Sequence, residues 1–292
     1  MRIRLLLVPY DSGQRAARMG RGPNHLAEHG LADRLRARGH DVDIEIIETA
    51  EPFPSEIKVT FDLHRRLTER VRATIVSGAF PLVLSGNCNC AIGAMTAIDP
   101  LRTGLIWFDA HGEFNTPETT IGGFLDGMGL AIATGRCWRE MARRIPGFRP
   151  VPDDNIILIG ARDFDPLEIR ELQRTGITLI SPDLTREWGV SGTMMPALAS
   201  LHDRVTDVYV HLDLDVLDRD EAVANMWPTT GGLTVAQVAE MLHLIRDRFT
   251  VRGVGIGSYD PEADMNQRAL KAALQFVEIA CDPSSRPAPR GS

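Results

Sequence analysis

Short apolar runs alternate with longer amphipathic stretches along this chain. The apolar runs that predict strands are residues 3–8, 42–47, 81–84, 104–108, 155–159, 178–180, 207–213 and 251–256. Stretches with helical periodicity lie between them, at 61–77, 166–175 and 235–247. Apolar strands that are separated by amphipathic helices are typical of βαβ units. The pattern therefore predicts an α/β protein with a largely parallel sheet that is buried on both faces.

Polar residues follow three of the predicted strands in connections that are longer than a turn requires. These connections are residues 85–89, 109–129 and 212–233. In open parallel sheets, ligands bind beyond the carboxyl ends of the strands. We therefore expect the functional residues to lie in these three loops.

Length and composition fit a folded globular protein. The chain has 292 residues, of which 43% are hydrophobic and 24% are charged, and this length suits one large α/β domain or two small ones. No internal repeat and no interior linker rich in Pro, Ser or Gly divides it. We predict a single domain over 1–281 and a disordered tail, or one used in a subunit contact, over 282–292.

Charge and cysteine usage limit the possible partners and location. The formal net charge of -7 gives no support to a nucleic acid or anionic membrane partner. The apolar run at 3–8 is too short for a signal peptide or a membrane span. The four cysteines have no spacing that suggests a disulfide framework. These features predict a cytoplasmic protein.

Two motifs rich in carboxylates close two of the predicted strands. In the first, Asp109, His111 and Glu113 would point the same way if the chain stays extended, because strand side chains alternate. In the second, Asp213 and Asp215 share a face for the same reason. A single acidic residue after a strand is usually a helix cap or turn former. Two such motifs in one chain favour a metal site.

Clustered carboxylates need a counter-charge. Acids that converge at one end of a sheet repel one another and raise one another's pKa values. One or two divalent cations remove that penalty. Ligation by several oxygens and one imidazole suits a hard or borderline ion such as Mn²⁺ better than a thiolate zinc site.

The same motifs resemble those of the arginase–agmatinase (ureohydrolase) family. Residues 109–113, Asp-Ala-His-Gly-Glu, resemble its Asp-Ala-His-x-Asp signature, and residues 211–218 resemble its Ser-x-Asp-x-Asp-x-x-Asp-Pro signature. Residues 85–89, Ser-Gly-Asn-Cys-Asn, stand where the family has Gly-Gly-Asp-His-Ser before a helix. Weaker similarities, including Ile-Gly-Ala-Arg-Asp at 159–163, extend over almost the whole chain. The resemblance implies a three-layer α/β/α fold around a mainly parallel eight-stranded sheet.

The resemblance also implies a reaction and its ligands. In the family, two Mn²⁺ ions bridge a hydroxide that attacks a guanidinium carbon and releases urea and an amine. By position, one ion would be held by Asp109, His111, Asp213 and Asp215. The second would be surrounded by Cys88, Asp109, Glu113 and Asp213.

Four departures from the family pattern fall at positions that bind metal or substrate, or transfer protons, in the family. Cys88 replaces a His ligand, Glu113 an Asp ligand, Asp126 a His that shuttles protons, and Ser258 the Glu that holds the guanidinium. A thiolate is softer than imidazole, so the Cys88 position is expected to bind Mn²⁺ weakly or to take another divalent ion. Ser258 leaves a guanidinium without a charge-assisted hydrogen-bond partner. Asp260 is a candidate replacement for that partner.

Cys88 has three interpretations, which we rank in order. It is a metal ligand in the first and a small buried filler in the second, the commonest fate of a free cysteine. In the third it is a nucleophile, because a thiolate is stabilised at the start of a helix.

The substrate loop is closer to arginases than to agmatinases. Residues 115–120, Asn-Thr-Pro-Glu-Thr-Thr, resemble the arginase version, which implies that Asn115 and Thr120 contact an α-carboxylate and Asp165 an α-amino group. The run 109–120, together with Cys88, is similar to the N-hydroxyarginine hydrolase of cycloserine biosynthesis. A hydroxylated guanidine is less basic than arginine and can dispense with a Glu counter-charge.

We therefore predict a metal-dependent hydrolase that cleaves a guanidino C–N bond in arginine or a modified arginine such as N-hydroxyarginine. Metal-bound hydroxide would be the nucleophile. Glu113 would orient it and carry a proton to the leaving amine, Asp126 would assist proton transfer, and Asp215 completes the catalytic set. The expected partners are a small amino-acid substrate and further copies of the chain in a homo-oligomer. The alternatives are a catalytically inactive binding or assembly protein of the same fold and amidino transfer through Cys88.

Overall fold

Eight parallel strands form the centre of the molecule. The computed structural model describes residues 1–50 and 55–282. The strands are β1 Arg2–Val8, β2 Asp41–Ile46, β3 Phe80–Ser85, β4 Thr103–Phe108, β5 Ile156–Ile159, β6 Thr178–Ile180, β7 Asp207–Asp213 and β8 Thr250–Gly257. Every strand predicted from the sequence is present, with its ends within one residue of the predicted ones.

The strand order places four strand ends side by side. The order is β2-β1-β3-β8-β7-β4-β5-β6, and every pair of neighbours is parallel. The central strands β3, β8, β7 and β4 all end at the same edge of the sheet. A short antiparallel hairpin, Tyr10–Asp11 with Gln14–Arg15, follows β1 and was not predicted.

Ten α-helices cover the sheet within the described residues. They are α1 Gly22–Glu28, α2 Leu31–Ala37, α3 Glu56–Val76, α4 Ala91–Ile98, α5 Gly129–Ala133, α6 Arg139–Ala142, α7 Pro166–Leu172, α8 Pro182–His202, α9 Val235–Arg248 and α10 Arg268–Ala280. The three predicted helices correspond to α3, α7 and α9. At the start of α7, Asp165 and Glu168 form a capping box that satisfies the free N–H groups of the first turn.

Two hydrophobic cores lie on opposite faces of the sheet. One packs Leu5, Ile106 and Val210 against α1, α2, α8, α9 and α10. The other packs Leu6, Leu105 and Leu158 against α3, α4, α5 and α7. Alternate residues of the same strands face the two cores, as strand geometry requires. This confirms the predicted three-layer α/β/α arrangement around a parallel eight-stranded sheet.

Two further points concern the predicted organisation. The predicted tail lies, from residue 283 on, outside the described residues. Among the helices that the structure describes, none has the length and apolar character that crossing a bilayer would require.

Candidate metal centre

The predicted site residues meet at the carboxyl edge of the four central strands. Cys88 follows β3, Asp109 follows β4, Asp213 is the last residue of β7 and Ser258 follows β8. Because these strands are neighbours in the sheet, residues far apart in sequence become adjacent. The three loops predicted to carry function therefore contribute to one site.

Two groups of side chains have the spacing of metal ligands. The first contains Cys88, Asp109 and Asp213, and the second contains Asp109, His111 and Asp215. Within each group the potential ligand atoms lie within 4.8 Å of one another. Asp109 belongs to both groups, so the arrangement offers two adjacent positions bridged by one carboxylate.

Hydrogen bonds from the surrounding chain fix the orientation of these carboxylates. The Trp107 indole donates to Asp109 Oδ2 at 2.9 Å, and the His111 N–H donates to Asp109 Oδ1 at 2.8 Å. The Asp215 N–H donates to Asp213 Oδ1 at 2.8 Å. Partners of this kind orient metal ligands before the ion binds. The ligand groups are thus held in place by the fold.

Cys88 lies deep in the centre. Its Sγ lies 2.9 Å from Asp213 Oδ2 and 3.2 Å from Ser258 Oγ. A Cβ at Gly257 would come within 2.8 Å of this sulfur, so glycine is required there for the close approach. Burial and the neighbouring Asp213 carboxylate raise the pKa of the Cys88 thiol well above its usual range. These features disfavour a free nucleophilic thiolate, which needs an electropositive setting.

Glu113 departs from the extended path that its motif suggested. Its φ is +55°, a left-handed conformation that turns the chain and ends the alternation assumed from the sequence. The side chain is buried over Gly129, and Glu113 is in neither group of candidate ligands. Its Oε2 atom is buried without a hydrogen-bond partner among the described residues. Glu113 therefore lines the site, and its place as a metal ligand stays a prediction.

Asp126 is held by three donors from the turn that carries Cys88. Its Oδ2 accepts from Asn87 Nδ2 at 2.8 Å and from the Cys88 N–H at 3.2 Å, and its Oδ1 accepts from the Asn89 N–H at 2.9 Å. Burial raises the pKa of Asp126 to about 7 in spite of these donors. A carboxylate engaged in this way caps a turn.

The electrostatics of the site favour a divalent cation. Burial and repulsion from Asp215 raise the pKa of Asp109, and burial with Asp215 and Asp109 raises that of Asp213 well above its usual range. Burial alone would lower the pKa of His111, but the Asp215 and Asp109 carboxylates raise it to about 11. The buried, unpartnered Glu113 Oε2 adds a further acceptor. The donor set therefore fits cations that would displace these protons.

The predicted substrate residues line one cavity of about 350 Å³ beside the ligand groups. Its lining includes His111, Glu113, Asn115, Thr120, Asp126, Asp165, Asp213, Asp215 and Ser258. Asn115 Nδ2 donates to Asp165 Oδ2 at 3.1 Å, which brings the two predicted head-group contacts together. All four predicted substrate residues therefore border the cavity.

Asp260 does not replace the missing guanidinium partner in this arrangement. It is buried, it accepts from the Glu262 N–H at 3.0 Å, and it is not part of the cavity lining. Burial is the largest influence on the pKa of Asp260 and raises it, and the charges that act on it next are those of Arg21, Asp11 and Arg18. Its carboxylate therefore belongs to the loop that follows the site.

Asn225 is a site residue that the sequence did not reveal. It is buried, it lines the cavity, and its Nδ2 donates to Asp215 Oδ2 at 3.1 Å. Its Oδ1 accepts from the Trp227 N–H at 2.9 Å. The Trp227 ring, also in the cavity lining, packs edge to face on Phe124 with ring centroids 5.5 Å apart. Only the unusual length of the loop at 212–233 pointed to this region.

Two more polar residues, the buried Glu168 and the partly buried Arg162, support the site. Glu168 Oε1 accepts from the Phe114 N–H at 2.8 Å, and burial raises the pKa of Glu168 to about 7. Arg162 donates to six backbone carbonyls, those of Gly160, Asp215, Val216, Leu217, Thr229 and Thr230. Arg162 therefore holds the main chain on both sides of the loop that carries Asn225.

We expect the stability of the metal-free protein to fall as pH rises. The pKa values of Asp109, Asp213 and Glu113 are raised in the folded state. Their stabilising contribution is therefore complete below about pH 4 and is lost as pH rises through the folded pKa values. Each carboxyl that retains its proton lowers the free energy of unfolding by about 1.4 kcal/mol per pH unit. Urea unfolding in chelator between about pH 7 and 8 measures this, because His64 and His211, whose pKa values burial lowers, are largely neutral there in both states and add little opposite slope.

The same measurement with saturating Mn²⁺ serves as the comparison. Cation binding favours the deprotonated carboxylates, so added metal is expected to weaken or reverse the pH dependence. A free energy of unfolding that rises with pH in chelator over this range would contradict the raised pKa values of the three carboxyls.

Comparisons with known proteins agree over nearly the full length. The model of the arginase family matches residues 1–281. The arginase of Bacillus caldovelox is 28% identical over 288 residues, which cover 94% of this chain and 96% of that protein. The arginase of Staphylococcus aureus strain MSSA476 is 29% identical over 289 residues, covering 94% of this chain and 95% of its own.

Solved structures give the same result at the level of the fold. The arginase of Bacillus cereus superposes with a TM-score of 0.86 at 27% identity, covering 96% of this chain and 98% of that one. Formimidoylglutamase from Bacillus subtilis superposes with a TM-score of 0.72 at 19% identity, covering 96% and 85% of the two chains. At that identity the second match shows the fold alone.

Proposed function

Because this chain belongs to the arginase family and is an arginase-like hydrolase, we propose that it cleaves a guanidino C–N bond in an arginine-like amino acid, with N-hydroxyarginine as the preferred substrate. The observation that carries the proposal is the pair of ligand groups that share the buried Asp109. They border a cavity whose lining also contains Asn115 and Asp165.

We assign two Mn²⁺ ions to these groups. Cys88, Asp109 and Asp213 would hold one, and Asp109, His111 and Asp215 the other. When bound, such ions supply Lewis acidity and lower the pKa of a bound water toward neutrality. The Cys88 position is the softer of the two and is expected to bind Mn²⁺ more weakly.

Glu113 is assigned the proton transfer. Its Oε2 is buried, unpartnered among the described residues and part of the cavity lining. Burial, with Asp109 and Asp126 next in importance, raises its pKa well above the usual range. A carboxyl in this position can take up a proton and pass it to the leaving amine. Asp215 aligns His111, whose Nδ1 lies 3.5 Å from Asp215 Oδ2.

Asn115, Thr120 and Asp165 are assigned to the amino-acid head group. Asp165 Oδ2 is near Asn115 Nδ2, at 3.1 Å, and its charge suits an ammonium group. The amide and hydroxyl of Asn115 and Thr120 suit a carboxylate. Phe124 and Trp227 add apolar surface to the same cavity, which suits an aliphatic stem.

The guanidine end favours a weakly basic group. Ser258, which lines the cavity 3.2 Å from Cys88 Sγ, offers a hydroxyl in place of a carboxylate. A guanidinium bound there forms no ion pair with this position, whereas a less basic hydroxylated guanidine depends less on one. This supports N-hydroxyarginine over arginine.

The other interpretations gain no support from the described residues. An inert protein would leave several buried carboxylates with raised pKa values and no function in return. Amidino transfer needs a reactive thiolate, and the buried Cys88 thiol has a raised pKa. The homo-oligomeric state predicted from the sequence stays a prediction.

Metal analysis and turnover on the same samples test the proposal. Protein purified with Mn²⁺ is expected to hold about two metals per chain and to convert N-hydroxyarginine and water to ornithine and hydroxyurea. Turnover of arginine to ornithine and urea is expected to be slower. Agmatine, which lacks the α-carboxylate, is the matched control and is expected to be the poorest of the three.

Two results would overturn different parts of the proposal. Faster turnover of arginine than of N-hydroxyarginine would sink the substrate assignment and leave the hydrolase intact. Protein that binds no Mn²⁺ and turns over none of the three compounds would sink the assigned function.

A further inference from the structure

Asp126 connects two of the loops that build the metal centre. It belongs to the loop that starts at Asp109, the residue shared by both ligand groups, and its carboxylate binds the turn that carries Cys88. We infer that Asp126 is a positioning residue that fixes the Cys88 turn and so directs the sulfur at the cation site. This inference rests on the proposed function in requiring a cation there.

The contacts need both oxygens of a carboxylate. Oδ2 accepts from the Asn87 side chain and the Cys88 N–H, at 2.8 and 3.2 Å, while Oδ1 accepts from the Asn89 N–H at 2.9 Å. An asparagine offers one acceptor oxygen and one NH₂ donor. In the asparagine variant, the NH₂ group would therefore face one of the two backbone N–H groups, and two donors cannot form a hydrogen bond. An isosteric exchange at this position removes an acceptor without creating a cavity.

The residues next to Cys88 are anchored to other parts of the fold. Asn87 Oδ1 accepts from the Ser12 N–H at 2.8 Å, and the Asn89 side chain lies 2.9 Å from His64 Nε2. These contacts fix the ends of the turn through side chains. The Cys88 N–H is bound by Asp126. Loss of that carboxylate is therefore expected to change the direction of the sulfur more than it changes the position of the turn.

Asp126 has a second effect because its loop carries the other ligands. The loop leaves β4 with Asp109 and His111 and returns to Asp126 before α5. Asp126 therefore connects the loop that carries Asp109 and His111 to the turn that carries Cys88. Three donors hold the carboxylate in this position, and the role of Asp126 in proton transfer stays a prediction.

Cobalt substitution tests the inference without turnover. Chelated protein is titrated with Co²⁺, and the near-ultraviolet thiolate-to-Co²⁺ charge-transfer band is followed together with affinity. Asp126→Asn is expected to weaken Co²⁺ binding about 10- to 100-fold, the usual effect of losing a partner that orients ligands. It is also expected to change the band at saturating Co²⁺, because the sulfur is no longer directed at the ion.

The matched control is Asp264→Asn. Asp264 is also buried and also caps a turn, accepting from the Arg268 and Leu270 N–H groups at 2.8 and 2.9 Å. It lies outside the cavity lining. This variant is expected to lose stability to a similar degree in chelator while keeping the wild-type affinity and band.

The outcomes separate this inference from the function on which it rests. If the wild type shows the band and Asp126→Asn has the same band and the same Co²⁺ affinity, the positioning role alone is overturned. Co²⁺ binding by the wild type without a band would overturn Cys88 ligation and the inference, and would leave hydrolysis to be judged by turnover of N-hydroxyarginine. A wild type that binds no Co²⁺ would overturn both.

A second variant covers the case in which Asp126→Asn does not fold. Asp126→Glu keeps both acceptor oxygens but displaces them by one methylene. We expect it to fold, to bind Co²⁺ more weakly than the wild type and to shift the band. A band identical to that of the wild type would overturn the inference.

Discussion

Replacing Asp213 by asparagine is expected to reduce hydrolysis about a thousandfold or more and, at the same time, to make the metal-free protein harder to unfold. The loss of activity follows from the loss of a charged ligand beside Cys88 and Asp109, and a thousandfold corresponds to about 4 kcal/mol of transition-state stabilisation. The gain in stability follows from burial. Asp213 is buried beside Asp215 and Asp109, and its pKa is raised well above the usual range.

The sign of the stability change is fixed by the direction of that shift. A carboxyl with a raised folded pKa destabilises the folded state at neutral pH, because the unfolded chain loses its proton more readily. Asparagine cannot ionise. Its oxygen can still accept the hydrogen bond that the Asp215 N–H donates to Asp213 Oδ1 in the wild type. We expect a gain of about 1–2 kcal/mol in chelator.

Added metal is expected to invert the order of the two proteins. Binding of a ligand to the folded state alone stabilises it by about 2.7 kcal/mol at a hundred times Kd, and the variant forgoes this. Thermal melts with chelator and with Mn²⁺ measure both effects. A variant that is less stable than the wild type in chelator would contradict the repulsion on which the argument rests.

Asp62→Asn is a matched control of opposite sign. Asp62 is also buried, but it is bound by Arg66 Nε at 2.7 Å, by Thr49 and by Arg65, and its pKa is lowered in spite of burial. Its loss is expected to destabilise the protein equally with and without metal.

Replacing Ser258 by glutamate is expected to raise kcat/KM for arginine about 10- to 100-fold. A charge-assisted hydrogen bond from a guanidinium to a carboxylate contributes about 1.5–3 kcal/mol, and Ser258 lines the cavity beside the ligand groups. N-Hydroxyarginine, which is less basic, is expected to gain less. The preference between the two substrates should therefore shift toward arginine.

Ser258→Gln separates charge from size in this experiment. Glutamine has the same length without the charge, so it is expected to leave the preference for N-hydroxyarginine in place. Ser258 has a φ of +58°, and both replacements must adopt that strained conformation, so the backbone cost cancels in the comparison. Equal effects of Glu and Gln would show that charge at this position does not select the substrate.

The sheet could be predicted from the sequence because each of its strands is an apolar run between polar connections. Strand ends such as Phe108 and Asp213 were placed correctly, since a buried parallel strand must be apolar and a polar residue marks its exit. The adjacency of Cys88 to Asp213 depended on the strand order. Periodicity does not specify that order, and only the resemblance to ureohydrolases implied it.

The details of the site depended on features that periodicity does not contain. The turn at Glu113 requires a positive φ at a residue type that rarely adopts one. The three donors to Asp126 and the contact of Asn225 with Asp215 are made by residues distant along the chain. A loop of unusual length marked the region of Asn225, but no local pattern distinguishes the one residue in it that reaches the centre.

The contacts of Arg162 suggest how this site tolerates variation. Within the part of the chain that the structure describes, its guanidinium binds only backbone carbonyls, which are the same for every amino acid, on both sides of the loop from 217 to 229. Side chains such as Trp227 can therefore be exchanged without loosening the anchor at either end. A scaffold of this kind allows a new pocket lining to be selected, or designed, while the cation ligands keep their positions.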